Sequence, residues 1–387
     1  MKRDCDPQEG WTEGGGMNRR RFFGLSVAAG GLLAARQACA QPSGPAYAGI
    51  PKLESQTLLS QQQQFRIGYT TNTRGGWEGS PFVGISEGRE VGFRYFEIFG
   101  SSFCATPDGL EPAPHDTQKM KSWENGYSWK YPAGPRAKRE VYYPDRWEAL
   151  QHRMYEIGAQ FTAITGGASD GSVAFHDPAQ RQAVVDNHFN MTRFSRRFGC
   201  DHQKTNTGPR KQPNGTPLED LKEIAKTCDL LGKRIREELG MKFGVHAHLG
   251  SQIQNEHETM FLMENTRPEN VGFVLDTGHI TMAGMDPVAL AKKLGPRVIE
   301  FHFKDTKKED RGGTKSVPKP DRDMMNDPYF YPMGEGGVDF PAIVAYLKSI
   351  NWRGHLNVEL DTSPWRPPKE SAALTASYIR NTLKIEL

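Results

Sequence analysis

Cysteine is scarce in this chain, and its placement excludes two common uses of it. The five residues Cys5, Cys39, Cys104, Cys200 and Cys228 form an odd set without CxxC spacing. Neither a thiolate zinc knuckle nor a disulfide framework is indicated, so any metal site draws on His and carboxylates. Charge imbalance is also missing: 49 Lys plus Arg against 46 Asp plus Glu leave a net charge of +3. That is too near neutrality for a polyanion-binding surface and argues against a nucleic-acid partner. Outside the N-terminus no apolar run approaches the ~20 residues of a membrane span, so no stable membrane insertion is expected after processing. The first strand signal runs into Tyr69-Thr70-Thr71-Asn72-Thr73-Arg74-Gly75-Gly76 without GxGxxG spacing, which indicates no dinucleotide cofactor. No Lys-Ser/Thr follows Gly334 to Gly337, so that stretch reads as a turn leading to an Asp339 helix cap and not as a phosphate cradle. What is plentiful is loop material: 41 Gly and 26 Pro in 387 residues, in a chain long enough for a full hydrophobic core.

The N-terminus reads as an address. Met17-Asn18-Arg19-Arg20-Arg21-Phe22-Phe23 precedes an apolar Gly/Ala-rich stretch from Gly24 to Ala35, and Ala38-Cys39-Ala40 supplies a small-x-small cleavage signal. Residues 1–40 are therefore expected to be a signal peptide region with its start at Met17. The arginine pair followed by two phenylalanines resembles the twin-arginine type. That resemblance implies the twin-arginine export machinery as a partner, a periplasmic destination, and passage in folded form. Residues 41–64, rich in Pro, Ser, Ala and Gln, read as a linker, and 65–387 as the folded domain.

Eight β-rich runs follow: Phe65–Thr71, Gly92–Phe99, Gln160–Thr165, Asp201–Thr207, Lys242–His248, Val271–Asp276, Val298–Lys304 and Gly354–Leu360. Helical patterns separate most of them. A capping box is expected at Thr216-Pro217-Leu218-Glu219, with caps at Asp177 and Asp286 before prolines. Leu221, Ile224, Cys228, Leu231, Ile235 and Leu239 keep helical spacing up to Gly240, which places Cys228 in the core. The helix 177–198 puts His188 at the surface or in a satisfied polar role. Eight βα units predict a (β/α)8 TIM barrel as a single α/β domain, with an open doubly wound sheet as the alternative. In such a barrel the chemistry sits where the strands end.

Those ends carry ligand-type residues. The fifth strand ends at His246-Ala247-His248, the sixth at Asp276-Thr277-Gly278-His279, the seventh at His302-Phe303-Lys304-Asp305, and the eighth at Asn357-Val358-Glu359. Side chains alternate along a strand, so His246 with His248, His302 with Lys304, and Asn357 with Glu359 share faces. Imidazoles and carboxylates crowded at one rim repel and desolvate one another unless a cation neutralises them. Two His with two carboxylates suit one divalent Mn, Co, Fe or Zn ion.

These segments, together with Gly334-Glu335-Gly336-Gly337-Val338-Asp339-Phe340, resemble the xylose-isomerase-like TIM-barrel superfamily of sugar isomerases, epimerases and dehydratases, with the inosose dehydratases nearest. The resemblance runs from about Phe243 to Asp361. It implies one divalent metal on His246, Asp276, His302 and Glu359; many relatives carry Glu at the first position, and His248 is the alternative ligand there. His279 corresponds to a substrate-oxygen contact in epimerase relatives.

A divalent ion on a ketone and its neighbouring hydroxyl polarises the carbonyl, acidifies the adjacent C–H and stabilises an enediolate. Returning the proton elsewhere gives isomerisation or epimerisation; expelling a β-oxygen gives a dehydratase or glycoside-type lyase. The leading expectation is a metal-dependent lyase on a keto-sugar, keto-inositol or 3-keto-glycoside. A sugar isomerase or epimerase with the same site and an exported carbohydrate-binding protein are the alternatives. His248, Lys304 and Glu359 are the candidate catalytic residues, with His248 as base or acid and Lys304 as an aid to the oxyanion. His279, Glu97 and Asn206 are the candidate substrate contacts. Two insertions stand out: the aromatic run Trp123, Tyr127, Trp129, Tyr131, Tyr142 and Tyr143, which could stack on sugar faces, and Thr306 to Pro332, a solvated loop or lid over the rim.

Overall fold

The β-rich runs and the helical stripes alternate in space as they do in sequence. In the computed structural model the described residues are 63–74, 77, 81–99, 151, 154–165, 174–196, 198–210, 214–307 and 330–387. The signal peptide region, nearly all of the linker, the aromatic run 123–143 and most of the insertion after Thr306 lie outside them. Strands β1 (Phe65–Thr70), β2 (Tyr95–Phe99), β3 (Gln160–Thr165), β4 (His202–Thr205), β5 (Lys242–His246), β6 (Gly272–Asp276) and β7 (Val298–Phe303) come first in the chain. A short antiparallel pair, β8 (Asp305–Thr306) and β9 (Phe330–Tyr331), then closes the ends of the second insertion, and β10 (Gly354–Val358) follows.

Eight of these strands form one sheet in the order β3-β2-β1-β10-β7-β6-β5-β4. Every ladder in it is parallel, and β1 pairs with the last strand, β10. The sheet therefore curls round until its two edges, β3 and β4, lie against each other, with no ladder between them among the described residues. The result is a nearly closed α/β barrel. Between its strands run α1 (Pro81–Val91), α2 (Arg181–Arg196), α3 (Leu218–Arg234), α4 (Glu256–Glu264), α5 (Thr277–Met282), α6 (Pro287–Leu294) and α7 (Phe340–Ser349), and α8 (Pro368–Tyr378) follows the last strand. No helix among the described residues is long and apolar enough to cross a membrane.

All eight expected strands are present, but several end earlier. β5 stops at His246, β7 at Phe303 and β4 at Thr205. His248, Lys304 and Asn206 therefore stand on the loops just past the strands. Phe273, Leu275, Phe301, Phe303, Leu356 and Val358 are buried, and they belong to the apolar core under the helices. Their alternating neighbours, Lys204, Glu300, His302 and Asn357, are equally buried and fill the barrel interior with charge and hydrogen bonds. Gly68 is required for this filling, because a Cβ there would stand 1.9 Å from Asn357 Oδ1.

The helix ends show where local signals lose to packing. Asp286 and Asp339 cap α6 and α7 as expected, accepting from Ala289 N and Ala342 N. The box at Thr216 does not form: Thr216 N donates to Glu258 Oε1 at 2.8 Å, its hydroxyl donates to Gln252 O, and the N-cap of α3 is Pro217 without a side-chain bond. Glu258, buried and paired with Arg210, draws Thr216 away and completes a capping box with Asn255 at α4 instead. Asp177 caps a turn through Ala179 N, since α2 begins only at Arg181. The α3 stripe is buried, Cys228 included, and ends at left-handed Gly240 (φ 66°) after a π-helical turn. His188 is buried beside Phe175, not surface-exposed.

Candidate metal centre

The strand ends deliver their ligand-type residues to one place. In the ladder between β6 and β7, Asp276 stands opposite His302; in that between β10 and β7, Asn357 stands opposite His302. Glu359 lies two residues further along and extends that edge by donating its N–H to Phe303 O. One ligand atom from each of His246, Asp276, His302 and Glu359 lies within 4.8 Å of the other three, and all four residues are buried.

In each of the four, one polar atom faces the group and the other is held. His246 Nε2 is 3.3 Å from Asp276 Oδ2, while its Nδ1 is 2.8 Å from Asn206 Oδ1 and donates to it. Asp276 Oδ1 caps α5 by accepting from His279 N at 2.8 Å, which leaves Oδ2 to the group. His302 Nδ1 contacts Glu359 Oε2 and lies 3.7 Å from Asp276 Oδ2, whereas its Nε2 is 2.9 Å from Glu97 Oε2. Glu359 Oε1 accepts from Asn72 Nδ2 at 3.0 Å, so Oε2 is the oxygen turned inward. Partners of this kind fix tautomer and orientation in metal-binding histidines and carboxylates. Two imidazole nitrogens and two carboxylate oxygens, buried and presented this way, fit a first-row divalent ion.

His248 lies outside this four-donor group. It is half-buried, its Nδ1 donates to Leu249 O at 2.6 Å, and its ring packs on His279 with centroids 3.6 Å apart. Lys304 is fully buried, with Nζ 3.3 Å from Asp276 Oδ2 and 3.2 Å from both Glu359 Oε2 and Asp361 Oδ1. It also donates to His279 Nε2 at 2.9 Å. The proton of neutral His279 therefore sits on Nδ1, a buried donor without a partner among the described residues. Gly278 makes room for the lysine, since a Cβ there would meet Lys304 Cγ at 2.6 Å. Glu97 is fully buried and its carboxylate is taken up by Lys204, His302, Asn357 and Thr165.

Burial pushes the Asp276 carboxyl up, but the Lys304 ammonium outweighs it and holds it well below the ordinary carboxylate range. Glu359 behaves alike: burial raises it, and Lys304 and His302 pull it well below. Burial, with Lys204 nearby, lowers His246 to about 3. Burial and Lys304 also lower His248, so both imidazoles are neutral. For Lys304, burial favours the uncharged amine, yet Asp276, Asp361 and Glu359 together raise its pKa above the usual value and keep it an ammonium.

The description "xylose isomerase-like TIM barrel" matches residues 85–382, more than half of the chain. The chain belongs to this family. Among curated relatives, it is 34% identical to an inosose dehydratase of Salmonella typhimurium over 162 residues, 42% of this chain and 54% of the relative. It is 32% identical to an inosose dehydratase of Lactiplantibacillus plantarum over the same shares. The chain thus spans about half the length of the curated relatives it matches. Among solved structures, a sugar phosphate isomerase/epimerase from Parabacteroides distasonis superposes with a TM-score of 0.57 at 16% identity, over 84% of this chain and 96% of that one. A D-psicose 3-epimerase from Clostridium cellulolyticum gives 0.55 at 12% identity, over 83% and 100%. At these identities the structural likeness carries the barrel fold alone.

Sequence reasoning passed over Lys204, Glu300 and Asn72, all of which touch the centre or its immediate partners. Strand alternation could have found Lys204, two residues from both His202 and Asn206 on the inward face of β4. Asn72 has no comparable signal, because its partner Glu359 is 287 positions away. Asp305, next to Lys304, plays a structural part instead. Its carboxylate accepts from the N–H groups of Thr306, Gly334, Gly336 and Val338 and hangs the Gly-rich turn from β8.

Proposed function

We propose that the chain is a divalent-metal-dependent lyase that dehydrates, or expels a β-oxygen from, a small keto-sugar, keto-inositol or 3-keto-glycoside. The observation that carries this reading is the four-donor centre, each donor with its other atom held, beside a bare imidazole nitrogen on His248. His246, Asp276, His302 and Glu359 would hold the ion, which when bound supplies Lewis acidity to a substrate carbonyl and acidifies the neighbouring C–H.

The chain's own groups do the rest. With Nδ1–H given to Leu249 O, His248 presents Nε2 as a lone-pair acceptor, and its lowered pKa keeps that nitrogen free at neutral pH to take the proton from carbon. The same proton returns to the departing β-oxygen, so water or an alcohol leaves and a carbon–carbon double bond remains. The Lys304 ammonium stands ready for the negative charge that develops on oxygen. The unpartnered Nδ1–H of His279 is a donor for a substrate hydroxyl. Glu97 and Asn206 serve here as the groups that hold His302 and His246, in place of the substrate contacts expected of them. The similarity to inosose dehydratases supports elimination, and the Arg19-Arg20 motif supports a periplasmic setting.

The test is to load the protein with Mn, Co, Fe or Zn and incubate it in D2O with a panel of inososes and 3-keto-glycosides, read by NMR. The expected result is metal-dependent loss of a C–H signal together with water or aglycone release, abolished by chelator and by His248→Gln at unchanged metal content. Deuterium entering the sugar with no leaving group would replace elimination by isomerisation or epimerisation. No exchange across the panel would overturn the enzymatic reading.

A further inference from the structure

The end of the barrel where the strands begin carries a second group of ligand-type side chains. His202 is the first residue of β4, Asp201 precedes it, and His355 is the second residue of β10. One ligand atom from each lies within 4.8 Å of the other two. Asp201 Oδ1 is 2.8 Å from His202 Nδ1 and 3.4 Å from His355 Nε2. Zinc bonds of roughly 2.0–2.1 Å in a tetrahedron set ligand atoms about 3.3 Å apart, so this spacing is close to that of coordination.

Two of the three outward atoms are held. His202 Nε2 lies 3.0 Å from Glu300 Oε2, a carboxylate fixed inside the barrel. Asp201 Oδ2 accepts from Arg66 Nη2 at 2.8 Å, which leaves Oδ1 as a single donor oxygen. His355 is only 5% exposed, yet its Nδ1 has no hydrogen-bond partner among the described residues. Its ring centroid lies 5.1 Å from that of His202. Burying two imidazoles side by side, one of them poorly bonded, is costly unless something binds them. The Asp201 side chain is 47% exposed, which leaves a path for an ion and a water as fourth ligand.

We propose that Asp201, His202 and His355 form a second, structural site for a zinc-like divalent ion on the floor of the barrel. The edge strand β4 has a ladder only to β5, and the seam with β3 carries none among the described residues. An ion gripped by Asp201 and His202 on one side and His355 on the other ties that edge strand to β10 across the floor. His202 releases the proton on Nδ1 to solvent when the ion binds and keeps the one on Nε2 toward Glu300.

The test titrates the full chain, stripped with chelator, with Co2+ and Zn2+, reading stoichiometry by calorimetry and the Co2+ ligand-field spectrum. Two ions are expected in the wild type and one in Asp201→Asn and in His355→Gln. Asp276→Asn, which disables the rim centre, should keep the floor ion and gain about 4 °C in Tm at a hundredfold excess over Kd. That gain should vanish in Asp276→Asn/Asp201→Asn. Equal stoichiometry in the wild type and Asp201→Asn would overturn the site. Circular dichroism separates a lost site from a lost fold, and Asp201→Asn carries the test if His355→Gln does not fold. A single ion in the wild type, lost in Asp201→Asn and kept in Asp276→Asn, would uphold the floor site while removing the rim centre.

Discussion

Lys204→Met removes the cation that ties β4 to β2 and β7 inside the barrel. Its Nζ lies 2.6 Å from Glu97 Oε1 and 2.7 Å from His302 Nε2, and the Lys204 and Glu97 side chains are 3% and 0% exposed. Burial alone draws the ammonium's pKa down, but Glu97, Glu300 and Glu359 outweigh it and hold it above the usual lysine value. Taking away one partner of such a pair leaves a buried carboxylate uncompensated, a loss of about 3–5 kcal/mol. At roughly 2 cal/mol/K of unfolding entropy per residue, a barrel of roughly 300 residues then loses about 5–8 °C in Tm. Lys204→Met/Glu97→Gln removes both charges and should recover at least about 2 kcal/mol of that loss, the coupling that neighbours in one network show. Thermal melts and urea denaturation of the two single variants, the double variant and the wild type measure the cycle. A Lys204→Met protein melting within about 1 °C of the wild type, or a double variant whose losses simply add, would refute the buried ion pair as the support of this interior.

Two further outcomes follow from the same geometry. Asn206→Ala frees His246 Nδ1 and should weaken metal binding by roughly 10–100-fold, measured by Co2+ titration; unchanged affinity would show that His246 needs no such support. For His202, burial lowers the pKa, but Glu300 and Asp201 raise it to about 10 from an ordinary 6.5. Because the folded value lies above the unfolded one, this stabilisation is complete below pH 6.5 and is lost as pH rises toward 10. In chelator-treated protein Tm should therefore fall between about pH 7 and 10, and His202→Gln should flatten the fall. Parallel profiles would remove His202 as its source.

Much of the barrel was readable because its signals are local. A strand buried on both faces is a short apolar run whatever surrounds it, and eight such runs separated by helical stripes constrain the fold to few topologies. Side-chain alternation is equally local, so Asp276, His302 and Glu359 could be placed on inward faces near strand ends. Thr216 shows the limit. Its capping box is correct by pattern, yet Glu258, 42 positions away, takes its N–H.

The chain order of residues thus determined the repeat, the core stripe around Cys228 and the types of ligand that reach the rim. Tertiary structure alone decided which atom of each ligand is free: Asn206 claims Nδ1 of His246, and Asn72 claims Oε1 of Glu359. It also decided that Lys204 and Lys304 stand among the carboxylates, and that Asp201, His202 and His355 meet on the floor. The reason is that a hydrogen bond across a barrel depends on the relative stagger of strands far apart in sequence, and no local period encodes that stagger.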